Sequence, residues 1–101
     1  MERQADNCAA ILKILADDTR LAVVRQLMAG PQHVNEINAT LTLEQSLLSH
    51  HLRVLRDAGI VESERDGKSV VYRLAAHVAA GVRDGSAINL GCCRLSFDAR
   101  R

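Results

Sequence analysis

The hydrophobic period of this chain changes at Ile60, and that change limits what it can fold into. Before it, apolar residues recur at helical spacing. After it, two β-prone runs, Ile60–Arg65 and Lys68–Leu74, flank Asp66-Gly67. Asp-Gly between such runs is a strong hairpin signal, because a type I′ turn needs positive φ at both central residues. The expected fold is therefore mainly α with a small β-hairpin.

Four helices are predicted upstream of the hairpin. Cys8, Ile11, Leu12 and Leu15 share one face of a first helix over about 4–16. Asp17 or Asp18 is placed to cap a second helix, which carries Leu21, Val24, Leu27 and Met28 and stops at Gly30-Pro31. A short third helix covers about 34–39, with Val34, Ile37 and then Leu41 facing inward. Thr42-Leu43-Glu44-Gln45 fits the capping-box pattern Thr-x-x-Gln and opens a fourth helix, which runs to about Ala58 with Gly59 as its left-handed terminator. Its buried stripe is Leu48, Leu52 and Leu55. Beyond the hairpin, the Ala-rich stretch from Ala75 to about Leu90 predicts a fifth helix with Val78 and Val82 on one face, weakened by Gly81 and Gly85.

A short helix, a tight connection, a longer helix and then a hairpin make a helix-turn-helix followed by a wing. In that arrangement the longer helix enters the major groove and its N-terminal half meets base edges. Its exposed Gln45, Ser46, Ser49 and His50 are uncharged hydrogen-bonders suited to bases and phosphates. Arg53, Arg56, Arg65 and Lys68 add positive charge beside the groove and at the wing tip. Arg53 and Arg56 read equally well as a solvated helix face. His51, beside Leu52 and Leu55, reads as a packed or hydrogen-bonded structural histidine rather than a base reader.

Composition narrows the class further. At 101 residues the chain has the size of a single domain. Aromatic residues make up 2% of it, which leaves the core to aliphatic side chains and argues against a stacking platform for single strands. A net charge of +1 rules out a general polycation, so duplex contact must concentrate its positive charge on one face. No apolar run nears the roughly 20 residues of a membrane span. Met1-Glu2-Arg3-Gln4 lacks the order of a signal peptide, so cytoplasmic residence away from any membrane is expected. There is no nucleophile–base pairing, phosphate loop or paired-carboxylate site at a credible spacing, so the chain is not expected to be an enzyme. Three cysteines, Cys8, Cys92 and Cys93, are an odd number for a disulfide framework, and reduced free thiols are expected.

Four stretches together resemble a family. Leu12-Lys13-Ile14-Leu15-Ala16-Asp17-Asp18-Thr19-Arg20-Leu21, the Gln45-Ser46 to Ser49-His50-His51-Leu52 segment, Leu55-Arg56-Asp57-Ala58-Gly59-Ile60-Val61, and Asp66-Gly67-Lys68 through Tyr72-Arg73-Leu74 are similar to the ArsR/SmtB repressors. The resemblance runs from about Ile11 to Leu74. It implies one winged helix-turn-helix domain of five helices and a two-stranded wing over 1–101. Segments 1–16 and 75–91 would be dimerisation helices, 34–58 the helix-turn-helix, 60–74 the wing and 92–101 a Cys-bearing tail. It implies a homodimer joined through its first and last helices on a double-stranded, roughly palindromic DNA operator. It also implies an inducer, usually a metal or metalloid ion, that releases the DNA.

The family's familiar sensing positions are depleted here. Its Cys-x-Cys in the third helix aligns with His33 and Asn35, and its last-helix carboxylate and imidazole ligands align with Ala76, Val78, Asn89 and Cys92. What remains is Cys8 near the start of the first helix and Cys92-Cys93 after the last. If those elements build the dimer, the three thiols approach each other. Three thiolates suit a soft ion: arsenite or antimonite first, then mercury or cadmium. Zinc would need a fourth ligand, such as His77 or Asp84. Two other readings stay open: a thiol-based redox or reactive-sulfur switch on the same scaffold, and a winged-helix protein-interaction module with no operator.

Overall fold

The computed structural model describes residues 2–79 and 87–97, with side chains from Cys8 onward. Helix α1 (Glu2–Leu15) leads into α2 (Asp18–Leu27). Asp17 is the N-cap of α2: its carboxylate accepts the backbone N–H groups of Thr19 and Arg20 at 2.9 and 3.0 Å, satisfying two donors that the first turn leaves without partners. The α2 helix buries Val23, Val24 and Leu27. Gly30, at φ +135°, and Pro31 carry the chain out of it.

Strand β1 (Gln32–His33) is followed by α3 (Val34–Leu41) and α4 (Gln45–Asp57). The α4 helix does not begin with the Thr42 capping box that the sequence suggested. Thr42 instead closes α3 in the left-handed region at φ 52°, with its N–H on the Asn38 carbonyl at 2.8 Å, and Glu44 is the extended residue before α4. Asn38 decides this. Its side chain accepts the Leu43 N–H at 2.7 Å and donates to the Leu43 carbonyl at 2.9 Å, so Thr42 is held inside the turn rather than at a helix start.

The α4 helix ends at Ala58, and Gly59 at φ +77° turns the chain into β2 (Val61–Asp66) and β3 (Ser69–Leu74). These strands pair from Val61↔Leu74 to Asp66↔Ser69, so the central residues of the turn are Gly67 and Lys68, not Asp66 and Gly67. Only Gly67 has positive φ, at +67°. Glycine in the first central position is what a type II′ turn requires, in place of the expected type I′. The β1 strand pairs with β3, making the wing sheet three-stranded in the order β1-β3-β2.

The core is aliphatic, as the composition demanded. Val23, Val24, Ile37, Leu48, Leu52, Leu55, Ile60, Val61 and Val78 are buried between α2, α3, α4 and the sheet. Helix α5 (Ala76–Ala79) follows the wing. The expected fifth helix does not continue to Leu90: Ala87–Asn89 is a strand, β4, paired antiparallel with β5 (Arg94–Ser96). Ile88 and Leu90 are both buried, and Leu95 and Phe97 also pack against the core, which is a period of two rather than of a helix. Val82 and Asp84, also invoked for that helix and for a zinc ligand, lie outside the described residues.

Candidate DNA-reading face and thiol cluster

Helix α4 is amphipathic. Leu48, His51, Leu52 and Leu55 face the core, while Gln45, Ser46, Ser49, His50 and Arg53 are exposed. A groove of about 710 Å³ runs between α3, α4 and the wing. Of the predicted DNA-binding residues, Gln45, Ser49 and Lys68 line it together, joined by Asn35, Asn38 and Ser69. Ser46 is exposed, but its hydroxyl donates to the Glu44 carboxylate at 2.9 Å, which places a negative charge at the entry of the reading helix. His50 is exposed, with its ring 5.6 Å from that of His51.

The basic residues divide by role. Arg53, Arg65 and Lys68 are exposed and have no acidic partner in an ion pair among the described residues. Arg56 reaches from α4 to the Ser63 hydroxyl at 3.5 Å and braces the wing. Arg73, by contrast, is neutralised by Glu64 at 3.0 Å and Glu62 at 3.7 Å. His33 ties the wing to α3. Its Nε2 lies 3.0 Å from Asp66 at the wing turn and its Nδ1 3.2 Å from Glu36, whose carboxylate also accepts the His33 backbone N–H at 2.7 Å. The Asp66 carboxylate first, and then that of Glu36, hold the imidazole pKa above its ordinary value.

His51 is the structural histidine that the sequence suggested. It is 8% exposed, and Arg20 Nε donates to its Nδ1 at 3.0 Å. Sequence reasoning missed Arg20 and Asn38. Asn38 follows a recognisable signal, an Asx side chain just before a turn, whereas Arg20 meets a residue 31 positions away that no local pattern announces.

The cysteines meet. Cys8 comes from α1, and Cys92 and Cys93 from the connection between β4 and β5. That connection is shaped by Leu90 N–H on the Cys93 carbonyl at 2.9 Å, Gly91 at φ +91°, and Gly91 N–H on the Asn89 side chain at 2.9 Å. Cys8 and Cys92 form a disulfide, with Cα atoms 5.6 Å apart, so the expectation of three free thiols is corrected. Tertiary proximity across 84 residues overrides what an odd cysteine count suggested. Cys93 is the free thiol, its Sγ 3.6 Å from Cys8 Sγ and 3.9 Å from Cys92 Sγ. All three sulfurs lie within 4.8 Å of one another, and His77, exposed on α5, is not part of the group. A disulfide-bonded pair cannot ligate, so the cluster holds a soft ion only when reduced.

A recognition helix backed by an aliphatic core, a bracing wing and a polar groove between them define a winged helix-turn-helix protein. The model of the bacterial regulatory protein arsR family matches residues 17–63, and the chain belongs to the ArsR family. It is 44% identical over 80 residues to the biofilm growth-associated repressor of Agrobacterium fabrum, covering 79% of this chain and 68% of that protein. Among solved structures it is similar to HlyU from Vibrio cholerae, with TM-score 0.74 and 32% identity over 81% of this chain and 90% of that one. It is also similar to the homodimeric winged helix-turn-helix DNA-binding domain from Mycobacterium bovis, with TM-score 0.68 and 30% identity over 75% of this chain and 70% of that one. The chain spans between 57% and 68% of the first curated relatives it matches. No helix among the described residues is long and apolar enough to cross a membrane.

Proposed function

We propose that this chain is a homodimeric, operator-binding transcriptional repressor released from DNA by a thiophilic metalloid, arsenite or antimonite, held by Cys8, Cys92 and Cys93. The observation that carries the sensing half is the convergence of three sulfurs within 4.8 Å, with no carboxylate or imidazole of the described residues in the group. Reduced, the three thiols condense with one arsenous acid: three As–S bonds form, three As–O bonds break, and three waters leave. Mercury and cadmium suit the same donors, and among the described residues no fourth ligand for zinc joins the group.

The DNA half rests on Gln45, Ser46, Ser49 and His50 as readers and on Arg53, Arg56, Arg65 and Lys68 as phosphate contacts. Dimerisation through α1 is supported by its exposed apolar side: Leu12 is 41% exposed, and Ala10, Ile11 and Ile14 line an open depression with Ala58. The domain from Mycobacterium bovis is homodimeric, and two copies would present recognition helices about 34 Å apart. The ion need only prefer the DNA-free geometry by roughly 1–3 kcal/mol per site to release the operator appreciably.

The test is a titration of reduced, operator-bound protein with arsenite. Cys92→Ser and Cys93→Ser are expected to keep operator binding and lose release; unchanged release in both refutes the metalloid reading. The Cys8–Cys92 disulfide favours a second reading, in which a hydroperoxide takes two electrons from the two thiols and the disulfide is itself the released state. Comparing oxidised with reduced protein, both without arsenite, separates the two. No duplex binding even at low salt would leave a protein-interaction module instead.

A further inference from the structure

We propose that Arg20 and His51 are positioning residues that carry the state of the thiol cluster to the recognition helix. The inference rests on the reading that the cluster sets operator affinity.

One guanidinium joins three elements. Arg20 Nε donates to His51 Nδ1 at 3.0 Å, and Nη1 donates to the Ile14 backbone oxygen at 3.3 Å. Ile14 lies in the last turn of α1, where carbonyls have no partner within the helix. The same α1 carries Cys8, about 9 Å away at 1.5 Å per residue. This helix is therefore pinned at one point to the sulfurs and at another to Arg20. The Arg20 main chain is itself fixed, because its N–H donates to the Asp17 cap at 3.0 Å. Its side chain answers to what α1 and α4 present.

On the receiving side, His51 is the only buried polar or charged side chain among the described residues. A guanidinium is always a donor, so in this contact Nδ1 is the acceptor. The net stability gained from such a bond is small, because folding exchanges it for bonds to water. What a satisfied buried polar contact contributes instead is one definite arrangement of the parts it joins. Here the parts are the end of α1, the start of α2 and the middle of α4. The ring of His51 lies 5.6 Å from that of His50, so the contact ends on a proposed base reader. Opening the disulfide present here, or closing three reduced sulfurs around an ion, changes where the cluster holds α1. The Ile14 carbonyl then moves against Arg20, and His51 turns with it.

The readout is the release factor, the ratio of operator Kd with arsenite to Kd without it, measured on reduced full-length protein. His51→Leu and Arg20→Gln are each expected to lower the wild-type release factor by about fivefold or more while ion-free operator affinity stays within about threefold. His51→Asn, whose Oδ1 replaces Nδ1 as acceptor, is expected to restore most of it. Wild-type release factors in both His51→Leu and Arg20→Gln overturn the proposal. In the unmutated protein, the His51 ring-nitrogen resonances are expected to move on adding arsenite, and resonances that stay in place overturn it without any question of misfolding. Wild-type protein that neither arsenite nor oxidation releases from DNA removes the underlying reading, and is recognised before any variant is compared.

Discussion

In the reading head several of the contacts that set the geometry are short in sequence: Asn38 holds Leu43 five residues on, and Arg56 braces Ser63 seven residues on, while His33 reaches across 33 residues to Asp66 at the wing turn. The thiol cluster is built the opposite way, by joining Cys8 to Cys92 across 84 residues. Such a head is held by local contacts and by an aliphatic core that it shares with α2 and α5. A cluster made from distant segments can change state while the head stays folded, which is what an input to a DNA-binding unit requires. Arg20 and His51, 31 residues apart, stand between the two regimes and are placed to couple them.

The largest effect is expected in the core. Leu52 is 1% exposed in the middle of the recognition helix, so Leu52→Ala is expected to cost about 2–5 kcal/mol in urea unfolding. If the head stays folded whatever the state of the cluster, this loss is the same in oxidised and reduced protein. The cluster has its own signature. Reducing the Cys8–Cys92 bond is expected to lower stability by about 2–4 kcal/mol, and Cys8→Ser abolishes the difference between oxidised and reduced unfolding midpoints. Stability that does not respond to reductant would show that the two segments are not joined.

Smaller effects sharpen the division. Asp17→Ala removes the cap of α2 and is expected to cost about 0.5–2 kcal/mol. The Arg20 backbone N–H is the largest influence holding the Asp17 carboxyl below its ordinary value. A lowered folded pKa stabilises above the unfolded value and loses that contribution as pH falls through the folded one, so the wild-type advantage over Asp17→Ala fades in acid unfolding. Lys68→Ala, at the wing turn, is expected to weaken binding similarly on all duplexes and to reduce the salt slope by about one.

The smallest effect concerns the wing clamp. His33 is held above the ordinary histidine value by Asp66 and then Glu36. A raised folded pKa contributes fully below the unfolded value and is lost as pH rises through the folded one. The NMR titration midpoint of His33 is therefore expected above 6.5, and Asp66→Asn is expected to bring it down. A midpoint indifferent to Asp66→Asn would mean that the wing turn is not tied to α3.

Sequence alone settled the parts whose causes are local. The change of period at Ile60, the glycines after α2 and α4, and the apolar stripe of Leu48, Leu52 and Leu55 placed the helix-turn-helix and the wing, because helix and strand spacing is written in neighbouring residues. The exposure of Gln45, Ser46, Ser49 and His50, the residues proposed to read DNA, followed from the same stripe, as the face left over. Local rules misjudged the details where a side chain intervened: Asn38 moved the start of α4 past Thr42, and strand pairing shifted the wing turn onto Gly67-Lys68. Tertiary structure alone decided the rest. Ile88 and Leu90 fit an Ala-rich helix until packing shows the segment as a strand paired with a second one from the expected tail. Nor does any spacing rule bring Cys8 to Cys92 and Cys93, or Arg20 to His51. Those meetings depend on how whole helices pack, and contacts between distant residues leave no periodic trace in the chain.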